Sequence, residues 1–244
     1  KREYHNVALR SPRGVPLELH FSVLEDLPRP DTVLKRVWDY AVPAEGGGYR
    51  LSPGFTFFYI YAHAYYHFIN GGCGIRPLVD GYLFARAYPE APGEAAFLFE
   101  EAGISVFADE MQKAALSFLE KAPGTKWTPA ILQYLFSGGK FGFDKRRMAL
   151  WKAEGMDWKT YRRNRVFLSY EKLCTLYPSL RGKKILTPLF QARRLLRLLA
   201  EGKAKQLRNE KKTFDGADNG EETAALFSAL SIPRNRNERS ENAE

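Results

Sequence analysis

Two histidines in the run His63-Ala-Tyr-Tyr-His67 are four residues apart, so a helix would set both imidazoles on one side. Such a pair can chelate a transition metal. A complete site needs a third and fourth ligand, however, and the glutamate of the HExxH pattern is missing. The pattern therefore favours hydrogen bonding within a polar core, or contact with an anionic substrate, over a metal. Just downstream, Gly74-Ile-Arg-Pro-Leu-Val-Asp80 places Arg76 and Asp80 four apart at the start of a helix. A helix that begins after glycines with an Arg in its first turn can take a phosphate through backbone N–H groups and the guanidinium together. The plain alternative is an ordinary Arg–Asp helix pair stabilising by about 0.2–0.5 kcal/mol. Near the N-terminus, Pro16-Leu-Glu-Leu-His20-Phe alternates, which puts Glu18 and His20 on one face of a strand. A carboxylate there can bind Mg²⁺ through oxygen, or the strand can simply present a solvated polar face. Ser137-Gly-Gly-Lys140-Phe-Gly142 is glycine-rich but lacks the GxxxxGK[ST] spacing, which rejects a Walker-type phosphate loop.

The elements that must position these residues are predominantly helical. Strands are predicted at 5–10 and 15–23 around Ser11-Pro-Arg-Gly14, and a helix capped by Asp31 runs to about Tyr40. A flexible loop follows at Gly46-Gly47-Gly48. Ser52-Pro53 opens a helix that Gly71-Gly72 closes near Asn70, and further helices are predicted over 75–88, 93–102, 105–121, 130–136, 146–153, 161–176 and 188–202. In the last of these Leu189, Leu195, Leu196 and Leu199 form an apolar stripe. The remaining residues are polar and read as a loosely held tail with one short helix near 222–232. The fold class is thus α+β, mostly α. A two-stranded piece is marginal alone, so 5–23 is expected to pack on the helices around 31–90.

The 244 residues carry 37 Lys and Arg against 28 Asp and Glu, a formal charge of +9 that is far from evenly spread. Residues 140–200 hold sixteen basic and four acidic side chains, whereas 1–139 hold thirteen and fifteen. A block of this size suggests a surface that meets phosphate, unless the cations merely solvate helix faces. Little aromatic interleaving accompanies it, so sequence-specific RNA reading is not supported. The two cysteines, Cys73 and Cys174, suit no zinc module or disulfide framework and fit a reducing, cytoplasmic setting. The most apolar run, 55–69, is too short and too polar to span a bilayer.

In their order, Glu18-x-His20, the paired histidines within 58–67, Gly74 to Asp80, Ser137 to Gly142, and Leu176-Tyr-Pro-Ser-Leu180 leading to Leu186-Thr-Pro188 and Arg193 resemble the bacterial uncharacterised nucleotidyltransferase family, over about residues 15–200. That family is placed with the DNA polymerase β-like nucleotidyltransferases. The resemblance implies a palm sheet whose three acidic residues bind two Mg²⁺ ions, with a hydroxyl attacking the α-phosphate of a nucleoside triphosphate. Glu18 matches the third acid, a catalytic and metal-binding role. His20, His63, His67, Arg76, Asp80 and Lys140 become the substrate-binding candidates. The basic block would face triphosphate or another anionic partner, and the acceptor is unknown. In this frame residues 1–50 are the end of the palm, 51–202 a helical domain and 203–244 the polar tail. The family's Asp-x-Asp pair is absent from the sequence, and the first residue is Lys rather than Met. The expectation is therefore an N-terminally truncated member, inactive by itself. The competing expectation is a noncatalytic helical module that binds an anionic ligand or a protein.

Overall fold

The computed structural model describes residues 6–20, 27–137, 144–217 and 220–233. It is mostly helical with two small antiparallel hairpins, which agrees with the α+β, mostly α expectation. The chain divides into two compact units, one formed by 1–22 with 155–217, the other by 23–154 with 218–244.

The larger unit is built on α2 (Pro53–Ile69). This helix is apolar on almost every side, which only a buried helix tolerates, and Phe55, Phe57, Phe58, Tyr61 and Phe68 are all enclosed. Ser52 starts it as expected, its hydroxyl accepting from the Phe55 N–H at 3.4 Å, while Glu94 accepts from the Gly54 N–H at 3.1 Å. Packed around α2 and one another are α1 (Pro28–Lys35), α3 (Arg76–Ala87), α4 (Ala91–Ala102), α5 (Ser105–Glu120) and α6 (Thr128–Ser137). Leu150 of α7 (Asp144–Ala153) joins the same core. So do Leu226 and Phe227 of α12 (Glu221–Ala229), where Phe227 meets Phe68 at 5.6 Å.

Several local expectations change. Asp31 lies inside the first turn of α1 rather than capping it, because Pro28 and Pro30 suit the opening turn, where a missing N–H is harmless. The presumed glycine loop is the turn of a second hairpin, β3 (Ala41–Pro43) with β4 (Tyr49–Leu51), and Gly46, Gly47 and Gly48 all have positive φ.

In the smaller unit, β1 (Asn6–Arg10) pairs with β2 (Pro16–His20), Val7 opposite Leu19 and Leu9 opposite Leu17. This hairpin groups with 155–217 and not with the helices around 31–90. Val33 and Leu34 of α1 lie within the core of the larger unit. Where one helix was expected over 161–176 there are two, α8 (Trp158–Val166) and α9 (Tyr170–Leu176). Ser169 adopts extended backbone and caps the second, accepting from the Lys172 N–H at 3.3 Å. Buried Arg194 of α10 (Thr187–Ala200) closes the end of the first, donating to Val166 O at 2.7 Å and Arg165 O at 3.2 Å. The tail begins not as loose chain but as α11 (Ala204–Asp215), whose Phe214 is buried beside Trp158 and Tyr161. Its Glu210 accepts from the Tyr161 hydroxyl at 2.9 Å.

Candidate functional site

The α2 helix ends at Asn70, and the chain then reverses through Gly71 and Gly72 at φ 115° and 117°. A side chain at either position would be strained, and the turn depends on both glycines. The Gly72 N–H reaches back to His67 O at 2.9 Å, so the carbonyl at the end of the helix is satisfied. Buried Cys73 and Gly74 follow, and α3 leaves from Arg76. The reversal brings the last turns of α2 and the first turn of α3 to the sides of one cleft of about 570 Å³. Tyr59, His63 and His67 line it from α2, Arg76 and Asp80 from α3, and Phe136 from α6.

His63 and His67 face each other with Nε2 atoms 3.0 Å apart and ring planes at 67°. One ring therefore donates and the other accepts. The contact needs at least one neutral ring, because two imidazolium ions would set N–H donor against N–H donor at hydrogen-bond distance. Tyr59 stacks on His63 with centroids 5.8 Å apart and planes at 18°, which holds that imidazole in place, and partial burial pushes the Tyr59 phenol up.

Arg76 donates through Nε to Asp80 Oδ2 at 3.2 Å. The pair is open to solvent, with the side chains 85% and 48% exposed, and so holds the guanidinium only loosely. The expected cradle of helix N–H groups is largely used up. Pro77 has no N–H, and those of Leu78 and Val79 turn back on Ile75 O at 3.1 and 3.2 Å. A bound anion would thus rely on the Arg76 guanidinium and the imidazoles rather than on the helix end.

Sequence reasoning missed Cys73, Tyr59 and Phe136 in the lining. Burial pushes the Cys73 thiol up to about 12, so it enters the cleft wall as a protonated, inert group. Tyr59 lay four residues before His63, a spacing that could have revealed the stack. Phe136 is distant in sequence and gave no such signal.

The other predicted residues are not gathered there. Glu18 and His20 lie two positions apart on β2, in the smaller unit. Lys140, with Gly138 to Gly142, lies outside the described residues. Among the described residues no group of three or more His, Cys, Asp or Glu could hold a metal ion. The paired imidazoles are nitrogen ligands and suit Mg²⁺ poorly, since that ion takes oxygen, and Asp80 is the carboxylate that lines the same cleft. No helix among the described residues is long and apolar enough to cross a membrane.

Residues 1–107 match the family model described as an uncharacterised nucleotidyltransferase. The matched segment contains Glu18, His20, the histidine pair, Arg76 and Asp80, and it ends before Lys140 and the basic block. No curated protein and no solved structure matches the chain.

Proposed function

We propose that this protein serves nucleotidyl transfer from a nucleoside triphosphate to an acceptor hydroxyl, and that the cleft between α2 and α3 receives the anionic part of a substrate. In that reaction the acceptor oxygen bonds to the α-phosphorus as the bond to the β-phosphate oxygen breaks and pyrophosphate leaves. The observation that carries the reading is the convergence of His63, His67 and loosely held Arg76 on one cleft inside the segment that matches a nucleotidyltransferase family. Tyr59 and Phe136 give the same cleft flat apolar walls, which suits a ligand that joins a planar ring to phosphate.

Glu18 remains the candidate for the catalytic acid, its carboxylate offering one oxygen to Mg²⁺, and His20 and Lys140 remain substrate-binding candidates. Because the sequence contains no Asp-x-Asp, the 244-residue chain by itself binds nucleotide but does not transfer it. The lack of a carboxylate cluster among the described residues also favours a second reading, a noncatalytic module for an anionic ligand.

Titration of the full chain with each of the four ribonucleoside triphosphates, with and without Mg²⁺, tests the assignment. Arg76→Ala should weaken binding by about tenfold, the worth of one charge-assisted contact. Unchanged affinity in that variant refutes the placement of the anion. Mg²⁺-dependent transfer by the chain, lost in Glu18→Gln, refutes the inactivity. Binding of inorganic phosphate or pyrophosphate as tight as that of the triphosphates supports the second reading.

A further inference from the structure

The α10 helix turns its apolar side outward. Its inner side is held by polar and aromatic groups: Arg194 is 3% exposed, Gln191 donates to Leu168 O at 2.6 Å, and Phe190 meets Tyr177 at 5.3 Å. On the outer side Leu189, Leu196 and Leu199 are 64%, 68% and 66% exposed, and Ile185 in the turn before the helix is 92% exposed. With exposed Ala192 these residues recur at spacings of four, three, four and three. That is the repeat by which a helix offers a seam to another helix. A surface helix that buries an arginine and exposes three of its five leucines departs from the ordinary amphipathic arrangement, and an apolar stripe of this kind marks an interaction surface.

The charge beside the stripe says what covers it. Exposed Arg193 and Arg197 run along one border, and Lys183 and Lys184 lie exposed at its start. Over 155–217 the chain carries sixteen Lys and Arg against five Asp and Glu. A second copy laid on the seam would set these cations against their equals. An apolar-seamed helix with acidic flanks would bury the leucines and neutralise the border at once. We infer that the outer face of α10 is a docking site for an acidic amphipathic helix of a partner protein. This inference is independent of the nucleotide reading, because α10 lies outside the family match and outside the α2–α3 cleft.

The probe is a labelled synthetic peptide of about three heptads with Leu at the seam positions and Glu beside them, titrated with the full chain by fluorescence anisotropy. A peptide with Lys in place of Glu is the comparison. The Glu peptide should bind at least about tenfold more tightly than the Lys peptide, and more weakly as salt rises from about 0.05 to 0.5 M. Leu189→Ser and Leu196→Ser should each weaken it by roughly tenfold or more. Both leucines are exposed, so melting curves of these variants should match the parent. The paired variant Arg193→Glu, Arg197→Glu should reverse the preference between the peptides while leaving the seam intact. Equal binding of the two peptides, or no binding, overturns the proposal. So does a chain that sediments as a dimer and becomes monomeric with Leu196→Ser, which would assign the face to a second copy. Slow thiol labelling of Leu196→Cys in the monomer would assign it to cover from within the chain and overturn the proposal equally.

Discussion

Replacing Gly81 by alanine should destabilise the larger unit even though alanine is the better helix former. Gly81 lies in the middle of α3, directly against the fully buried Tyr61 of α2. A Cβ at position 81 would come within 2.6 Å of Tyr61 Cζ and 2.9 Å of Cε2, and closer still to the hydroxyl oxygen. The ring has little room to retreat. Phe57 packs edge-on against it at 5.0 Å and Phe99 at 5.9 Å, and among the described residues the hydroxyl has no hydrogen-bond partner to trade. Overpacking of this kind costs about 1–3 kcal/mol, against a gain of about 1 kcal/mol from removing glycine from a helix. With two ring atoms and the hydroxyl oxygen in the way the upper part of that range applies, so the net loss is about 1–2 kcal/mol, or roughly 2–8 °C in Tm. Urea unfolding followed by tryptophan fluorescence and circular dichroism measures it. Gly93→Ala is the internal control, because a Cβ there meets nothing within 4 Å, and it should stabilise by a few tenths to about 1 kcal/mol. A Gly81→Ala protein as stable as the parent would refute the claim that contact with Tyr61 fixes the seat of α3. That seat is also what sets Arg76 and Asp80 beside the histidines.

Burial pushes the phenols of Tyr61 and Tyr134 well above their ordinary value of 10.0, and Tyr134 donates to Phe68 O at 2.6 Å. The unfolded chain then loses protons first on alkaline titration, so stability holds below pH 10 and falls above it, by about 1.4 kcal/mol per pH unit for each such tyrosine. Urea midpoints at pH 9 and pH 11 check this, and equal midpoints would contradict the burial of both rings. In the smaller unit, Arg194→Lys keeps the charge but loses the fork that holds Val166 O and Arg165 O, and should cost about 1.5–3 kcal/mol. Amide exchange should accelerate across 161–170. If it does not, the guanidinium is not what ends α8.

Much of the larger unit was legible because its signals are local. Ser52-Pro53 and Gly71-Gly72 bracket α2, and the spacing of His63 and His67 put them on one face before any packing was known. The hairpin at 41–51 was not legible, because three glycines in a row read equally as a loose loop or as a turn between strands. Nor was the break at Phe167 to Ser169, where the periodicity continues and the helix ends on a guanidinium donated from α10. The tail helix α11 was hidden by composition. Its charged residues read as disordered, yet Phe214 and Glu210 tie it to Tyr161. The basic block was read as a phosphate-facing surface, but part of it has structural work. Arg146 donates to Tyr134 O at 2.8 Å and lies 4.2 Å over the Tyr134 ring, and Arg165 pairs with Glu210.

The sequence by itself determined which side chains share a face: His63 with His67, and Arg76 with Asp80. Backbone period decides that within a few residues, whatever the rest of the chain does. Only the tertiary structure decided that the two pairs meet in one cleft, with Tyr59 and Phe136 in its walls. It also decided that Glu18 and His20 belong to the other unit, and that Leu189, Leu196 and Leu199 of the α10 stripe face outward while Leu195 is half-buried. Those outcomes depend on which face of each helix finds a partner, which follows from the fit of distant surfaces and is written in no local spacing.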